Sequence, residues 1–223
     1  MAGPCAASAQ VALPRSVGSP SSNGSVVLEI YRTKDGYIVA QECHEIVFKV
    51  RKTSNWTDAE SFLLTDADNN PIFTLRKKIV TAHARWKVFK GDSIDPKHLL
   101  FRSAKSSIIQ RATELNVFFA NKEAEVDSLD PKQVDYDFKI KETSSRNSFA
   151  IYSGDSSTIV GKVEKRKSDE RGNLKVIIHP NLDSAFATAV IVILDQLKGI
   201  PFKLPFWPIV AAGNAVVAAV TES

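Results

Sequence analysis

Several features that commonly reveal an activity are scarce or missing in this 223-residue chain. Its two cysteines, Cys5 and Cys43, are too few for a disulfide framework and predict reduced thiols in a cytosolic or nuclear protein. Its four histidines, His44, His83, His98 and His179, lack metal-ligand spacing, and no glycine-rich loop of the nucleotide-binding type occurs. We therefore expect no disulfide framework, no metal and no cofactor.

No group of residues has the pattern of a catalytic site. Cys43 adjoins His44, but neighbouring side chains on a strand point to opposite faces, so the pair is poorly placed to activate a nucleophile. Residues 154–157 (GDSS) superficially suggest a nucleophilic serine, yet the residues that follow alternate as a strand where such a site requires a helix. We interpret this segment as a turn and predict a protein that is not an enzyme.

The N-terminal residues 1–24 have a single charge, at Arg15, and are rich in Ala, Ser, Pro and Gly, which predicts a flexible leader. The segment has neither the basic start nor the apolar run of a secretory signal, and Ala2 excludes N-myristoylation. The glycosylation sequons at Asn23 and Asn55 are then expected to stay unmodified, and palmitoylation of Cys5 is left open.

The most informative feature of the chain is an apolar run of ten residues, 185–194, in which Thr188 is the only polar side chain. A helix that is apolar on every side must be buried on every side, and ten residues are well short of the roughly 20 that cross a bilayer. We expect a helix at about 182–197 that is buried in protein, capped from residues 181–183 and stopped by Gly199 and Pro201.

Before this run the chain is a series of short segments rich in β-branched and aromatic residues, separated by turn signals. Lys34, Asp35 and Gly36 indicate a hairpin turn, and residues 72–80 alternate most clearly, with Phe73 and Leu75 on one face and Arg76 on the other. The segments number about a dozen. So many strands close to protect their edges, which predicts an all-β fold: a closed antiparallel barrel around a hydrophobic C-terminal α-helix. The candidate strands are 26–32, 37–40, 46–50, 62–65, 72–80, 85–90, 98–103, 107–111, 115–120, 136–140, 149–153, 158–164 and 174–179.

Two blocks echo each other, since the strands before Gly91 and Gly154 both lead into a Gly-Asp-Ser turn. The echoing segments are residues 88–93 and 151–156. The longer blocks that contain them, HARWKVFKGDS at 83–93 and IYSGDSSTIV at 151–160, resemble the plant LURP-one-related family, which shares the fold of tubby C-terminal domains and phospholipid scramblases. The resemblance covers residues 26–197. Its other carriers are residues 62–67, 70–71, 74–78, 99–101, 106–110, 117–120 and 183–186.

The resemblance implies a twelve-stranded barrel closed around a central helix. It further implies a binding module that tethers to phosphoinositides at the plasma membrane, with a link to plant defence and, alternatively, to transcription. The implied domain spans residues 25–198. Residues 199–223 form an apolar tail that the family pattern does not cover, and residues 121–142 read as an acidic loop with a strand at its end.

Charge placement is the sequence's most direct clue to a partner. Residues 71–90 contain six cations and no acid, whereas residues 121–137 contain six acids and two lysines. A barrel with one basic side attracts anionic headgroups or nucleic acid, although most outward charges on a barrel serve solubility. The candidate anionic-lipid contacts are Arg76, Lys78, Arg85 and Lys87.

Two other functions stay open. Lys165, Arg166 and Lys167 form a short basic cluster that suits nuclear import or a nucleic-acid contact in a transcription-linked protein. Scramblase-like lipid transfer requires a membrane anchor and a calcium response, and no EF-hand loop occurs. We expect a cytoplasmic monomer, peripheral at the plasma membrane or nuclear, whose partners are phosphoinositide headgroups or proteins, with nucleic acid undecided.

Overall fold

A computed structural model describes residues 24–41, 44–53, 60–78, 85–106, 114–120, 136–143, 148–154, 156–165, 174–180 and 182–198. These ranges contain twelve β-strands, one α-helix and a short 3₁₀ turn at Pro96–His98. The elements are β1 Val26–Thr33, β2 Gly36–Ala40, β3 Ile46–Thr53, β4 Ser61–Asp66, β5 Pro71–Lys77, β6 Trp86–Lys90, β7 Leu99–Lys105, β8 Glu114–Phe119, β9 Phe138–Glu142, β10 Phe149–Ser153, β11 Ile159–Lys165, β12 Leu174–Ile178 and α1 Ser184–Lys198.

The strands form a closed antiparallel barrel in chain order. Each strand pairs with the one before it, and β12 closes the ring by pairing with β1 from Val26 opposite Ile178 to Ile30 opposite Leu174. Closure pairs the backbone groups that an open sheet would leave at its two edges. The predicted fold class, about twelve strands around a C-terminal helix, is therefore confirmed.

The interior of the barrel is filled by α1. None of residues 185–194 has more than 3 % of its surface exposed, and together with the inward side chains of the strands they form one apolar core. Near the start of the helix, the ring of Phe186 lies 5.0 Å from both Phe101 and Phe138. The run that is apolar on all sides is thus buried on all sides, as its composition requires.

The N-terminus of α1 is capped as the sequence predicts. The Asp183 carboxylate accepts a hydrogen bond from the backbone N–H of Phe186 at 2.7 Å, which satisfies one of the free amides of the first turn. The hydroxyl of Thr188 donates to the backbone carbonyl of Ser184 at 2.8 Å. The polar side chain within the run is therefore satisfied by its own helix.

The C-terminal turn of α1 holds a buried ion pair that the sequence did not suggest. Asp195, whose side chain is only 5 % exposed, forms an ion pair with Arg32 and accepts a 2.5 Å hydrogen bond from the hydroxyl of Tyr37. Gln196 donates to the same hydroxyl at 2.8 Å. Because a carboxylate at a helix C-terminus faces the negative end of the helix dipole, Asp195 depends on these partners. They fix the end of the helix to β1 and β2.

The Tyr37 hydroxyl belongs to this arrangement. Burial and, next, the negative charge of Asp195 raise the pKa of Tyr37 well above its usual value. The phenol therefore stays protonated and continues to donate to the carboxylate. The guanidinium of Arg32 also lies 5.8 Å from the centre of the Tyr37 ring, so the three side chains form one packed unit.

The first hairpin forms as expected, but its turn differs by one residue from the predicted one. Thr33 pairs with Gly36, so Lys34 and Asp35 are the two loop residues and Gly36 begins β2. Gly36 has a φ of 153°, and a Cβ there would lie 1.9 Å from the backbone oxygen of Val50. Glycine is required because the neighbouring strand approaches so closely.

The two echoing turns have the same backbone arrangement at their glycines. Gly91 and Gly154 have φ values of 67° and 53°, and each donates its N–H to a residue across the sheet, to Ile72 at 2.8 Å and to Asp137 at 2.7 Å. The likeness of these two segments is therefore a likeness of turn chemistry, as predicted.

Several sequence predictions fall partly or wholly outside the described residues. These include both cysteines, the candidate strand at 107–111, most of the acidic loop, the leader at 1–24 and the tail at 199–223. The proposed domain limits of 25 and 198 thus stay predictions. Within the described part, β5 ends at Lys77, whereas the sequence predicted a strand that continues to residue 80.

Substitution of Gly36 tests the close approach of β2 and β3. We expect Gly36→Ala to lower the free energy of unfolding by more than about 3 kcal/mol, because the new Cβ collides with backbone. Gly91→Ala is the matched control, since a Cβ at Gly91 has no neighbour within 4 Å among the residues that the structure describes. It costs only the energy of a left-handed backbone, about 1–2 kcal/mol. Urea unfolding measures both, and equal losses would contradict the collision.

Removal of the Asp195 carboxylate tests the ion pair. We expect Asp195→Leu to cost about 2–4 kcal/mol of stability, somewhat below the full value for a buried pair because the Arg32 side chain is 22 % exposed. The double variant Arg32→Met with Asp195→Leu should recover most of the loss, since no partly buried charge is left alone. Thermal and urea unfolding of Asp195→Leu, Arg32→Met and the double variant give the coupling, and a double variant less stable than Asp195→Leu would contradict the interpretation.

Candidate functional site

The most notable feature of the barrel's outer wall is a row of three cations on adjacent strands. Arg76 on β5 lies directly opposite Lys87 on β6, and Lys87 lies directly opposite Arg102 on β7. Neighbouring strands are about 4.8 Å apart, so the backbone positions of the row span about 10 Å. We call Arg76, Lys87 and Arg102 the cation row.

The side chains of the cation row point outward because their neighbours along each strand point inward. Leu75, Trp86, Val88 and Phe101 are fully buried and belong to the core that surrounds α1. Alternation along a strand then places the intervening side chains on the outer wall. Each cation of the row is partly exposed there.

Two more candidate residues lie beside the row. The backbone N–H of Lys78 donates to the carbonyl oxygen of Arg85 at 2.9 Å, which continues the pairing of β5 with β6 by one step beyond Lys77 and Trp86. Lys78 is exposed and Arg85 is partly buried. The structure thus brings all four sequence candidates together in two neighbouring cross-strand pairs, Arg76 with Lys87 and Lys78 with Arg85.

The cation row has no carboxylate partner within the described part of the chain. The ion pairs found there join Arg32 to Asp195, Lys52 and Lys77 to Glu60, Lys139 to Glu114, and His44 to Glu29 if the imidazole is protonated. Like charges that face each other directly across strands are destabilising. The row is therefore an electrostatic cost to the fold that a bound anion would relieve.

Lys77 continues the run of cations in the sequence, between Arg76 and Lys78, but does not belong to the cation row. Its ammonium lies 2.8 Å from Glu60, and the hydrogen bond from Lys77 is the main reason that the pKa of Glu60 is lowered. Its position faces that of Trp86, whose side chain is in the core. A count of charges along the chain would have included Lys77, whereas the geometry excludes it.

Sequence reasoning missed Arg102. A usable signal exists in β7, where Arg102 and Ala104 alternate with the buried Phe101 and Ser103. That alternation places Arg102 on the outer wall but does not say which residues of β6 it faces. The opposition to Lys87 becomes visible only when the register between the strands is known.

Beyond Arg102 the outer wall becomes apolar and buried. Arg102 lies opposite Phe118 on β8, and Phe118 packs with Ala104 and Tyr136 in a small cluster separate from the main core. Next to this cluster, Lys139 forms a 2.8 Å ion pair with Glu114 and a 3.2 Å hydrogen bond with the Tyr136 hydroxyl. Burial acts to lower the pKa of Lys139, but the hydrogen bonds to Glu114 and Tyr136 raise it overall.

The other sequence candidates are not assembled into a site by the described residues. Lys165 ends β11, and its companions Arg166 and Lys167 lie outside the described ranges. His44, His98 and His179 occupy separate parts of the barrel, and within the described part of the chain no group of three potential metal ligands forms. None of the helices in the described ranges has the length and apolarity needed to span a membrane.

Comparison with known proteins places the chain among plant relatives. The family model described as LURP-one-related matches residues 29–195. The Arabidopsis thaliana proteins LURP-one-related 15 and LURP-one-related 10 are each 31 % identical to it, over 78 % of this chain and over 79 % and 88 % of their own lengths. LURP1 of the same plant is 30 % identical over 81 % of this chain and 86 % of its own.

A solved structure agrees with the fold. The X-ray structure of an Arabidopsis thaliana protein with 25 % sequence identity superposes with a TM-score of 0.58 and covers 78 % of this chain and 91 % of its own. This structure comes from the same plant as the sequence relatives and agrees with the fold described above.

Neutralising the middle of the cation row tests its electrostatic cost. We expect Lys87→Gln to raise the free energy of unfolding by about 0.2–1 kcal/mol at low salt, since Lys87 faces a cation on each side. Lys162→Gln is the matched control, because Lys162 is exposed and faces only Ala150 and Ile177. High salt should abolish the gain. A gain that is equal in both variants, or independent of salt, would contradict the repulsion.

Proposed function

The chain belongs to the LURP-one-related family, and from this premise and the unpaired cation row we propose that it is a non-enzymatic module that binds phosphoinositide headgroups on its outer wall. The observation that carries the proposal is the direct opposition of Arg76, Lys87 and Arg102 without a carboxylate partner in the described part of the chain. Lys78 and Arg85 flank the row and complete the basic surface.

The filled interior supports an outer binding site. Barrels that bind small molecules hold them inside, at the mouth or in a central cavity. Here α1 occupies the centre, and Phe186, Val190 and Leu194 are packed against the inward side chains of the strands. A ligand therefore has the outer wall as its available surface, and this wall offers charge but no assembled catalytic group among the described residues.

The electrostatic attraction of these cations sets the affinity that such binding can reach. A cation near an anionic membrane contributes about 1 kcal/mol, so five cations contribute on the order of 5 kcal/mol. For a single headgroup this corresponds to a dissociation constant of roughly 0.1–1 mM. Attachment to a membrane surface that presents many headgroups is consequently favoured over tight capture of one molecule in solution.

The cellular setting is part of the same proposal. A cytoplasmic protein that reaches the inner face of the plasma membrane would meet anionic lipids there, and we propose this location, with a nuclear pool as the alternative. A role in plant defence signalling is supported by the family resemblance alone. The transcription-linked alternative depends on Lys165, Arg166 and Lys167, and the structure adds no observation in its favour.

Vesicle sedimentation of the purified protein tests the proposal. We expect retention on vesicles that contain a bisphosphorylated phosphoinositide and little retention on phosphatidylcholine alone. Arg76→Gln with Lys87→Gln should weaken binding by about 30-fold, because two cations are lost, and high salt should weaken it further.

The matched control is Lys162→Gln with Lys175→Gln, which removes the same charge from β11 and β12. This variant should bind nearly as well as the unchanged protein. Retention that is insensitive both to salt and to the Arg76 and Lys87 substitutions would rule out the electrostatic site.

A further inference from the structure

The outer wall beside the cation row contains a buried polar atom without a partner. Asn116 lies on β8 between two neighbours in register, Ala104 on β7 and Lys139 on β9. The residue is 3 % exposed, and its side-chain oxygen Oδ1 accepts no hydrogen bond from any residue that the structure describes. Such an atom costs stability, and in a native protein it calls for an explanation.

The position of Asn116 distinguishes it from polar atoms of the core. Leu115 and Val117, its neighbours along β8, point inward and pack around α1. Asn116 therefore points to the outer wall, in line with Phe118, which packs there with Ala104 and Tyr136. We call Ala104, Asn116, Phe118 and Tyr136 the outer patch.

The candidate donor opposite Asn116 on β9 makes no hydrogen bond to it. Lys139 lies directly opposite Asn116, but its ammonium is held by Glu114 at 2.8 Å and by the Tyr136 hydroxyl at 3.2 Å. An apolar side chain of similar size at this position would remove the cost altogether. The retained amide oxygen therefore suits a donor that comes from outside the chain.

Asn116 is close enough to the cation row for one small ligand to reach both. Arg102 and Ala104 are two residues apart on the same face of β7, and Ala104 faces Asn116. Asn116 is thus a diagonal neighbour of Arg102, at about 7–8 Å between backbone positions. The long Arg102 side chain shortens the distance that a ligand must bridge.

The cation row and the Asn116 oxygen require different chemical groups on that ligand. Arg76, Lys87 and Arg102 bind an anion, and a fully ionised phosphate offers only acceptors. The Asn116 oxygen needs an O–H or N–H donor. A phosphorylated polyol, a compact ring or chain that carries both phosphate and free hydroxyl groups, satisfies both at once, whereas sulfate, which has no O–H at neutral pH, satisfies only the cations.

Building on the proposed function, we infer that the outer wall recognises phosphorylated polyols, with Asn116 Oδ1 accepting a hydrogen bond from a free hydroxyl while the cation row holds phosphate. Because Asn116 is buried, a ligand can contact it only when the large side chains of the outer patch, Phe118 and Tyr136, move aside. Asn116 then determines specificity among anions, and the cations supply most of the attraction.

The test compares soluble ligands that share a ring but differ in hydroxyl groups. Inositol 1,4,5-trisphosphate keeps free hydroxyls, and inositol hexakisphosphate has none. We expect Asn116→Leu to weaken binding of the trisphosphate about three- to tenfold in calorimetric titration, the value of one hydrogen bond. Binding of the hexakisphosphate should change less than twofold. Asn116→Ala should give the same pattern and serves if Asn116→Leu folds poorly.

Thr74→Val is the matched control. Thr74 is also buried, and also on the outer wall, yet its hydroxyl donates to the carbonyl of Gly91 at 2.8 Å. Thr74→Val should lower the melting temperature and leave the affinity for both ligands unchanged. Asn116→Leu should melt at or above the temperature of the unchanged protein, because an unpaired acceptor has been removed.

The outcomes separate this inference from the proposed function. If the unchanged protein binds neither ligand nor phosphoinositide vesicles, the proposed function fails and the inference falls with it. If binding occurs and Asn116→Leu weakens both ligands equally or neither, the inference alone is wrong. Vesicles with the same headgroup identify the source: an Asn116 effect there indicates a lipid, and an effect confined to the soluble trisphosphate indicates a free polyol phosphate.

Discussion

The structure depends on one constraint, that a helix apolar on every side must be surrounded by protein on every side. Ten successive residues of α1 bury at least 97 % of their surface, and twelve strands close around them. Each end of the helix is fixed by an aspartate carboxylate, and the two carboxylates act in different ways. Asp183 caps the first turn, and Asp195 is held in the last turn by Arg32 and Tyr37. A helix held only by apolar packing rotates or slides at a smaller cost than one whose polar groups are also paired, so these polar contacts help to set its register.

Filling the interior decides where function can lie. With the helix in the centre, the side chains that are left to meet a partner are those of the outer wall, and the antiparallel register determines which of them become neighbours. It places Arg76, Lys87 and Arg102 in one line and sets Asn116 diagonally beside Arg102. Both features lower stability, one through repulsion and the other through an unpaired acceptor. Proteins commonly break local rules of this kind where they bind something.

Much of the fold could be predicted because its signals are local. The alternation around Phe73 and Leu75, and the apolar run with its Asp183 cap, lie within single elements. The same alternation predicted that Arg76 lies on the outer face of β5. Arg102 was missed because its importance depends on facing Lys87 across two strands. The pairing of Arg32 with Asp195 joins residues 163 positions apart, and no local pattern carries that information.

Hydrogen exchange of the α1 amides measured by NMR tests the central claim most directly. If the helix is the core of the barrel, the amides of Val190, Ile191 and Val192 can exchange only when the barrel opens. Their protection should therefore correspond to the full free energy of unfolding and match that of the most protected strand amides. Exchange of these amides at a free energy well below that of the strands would show that the helix leaves an intact barrel, and would contradict the account.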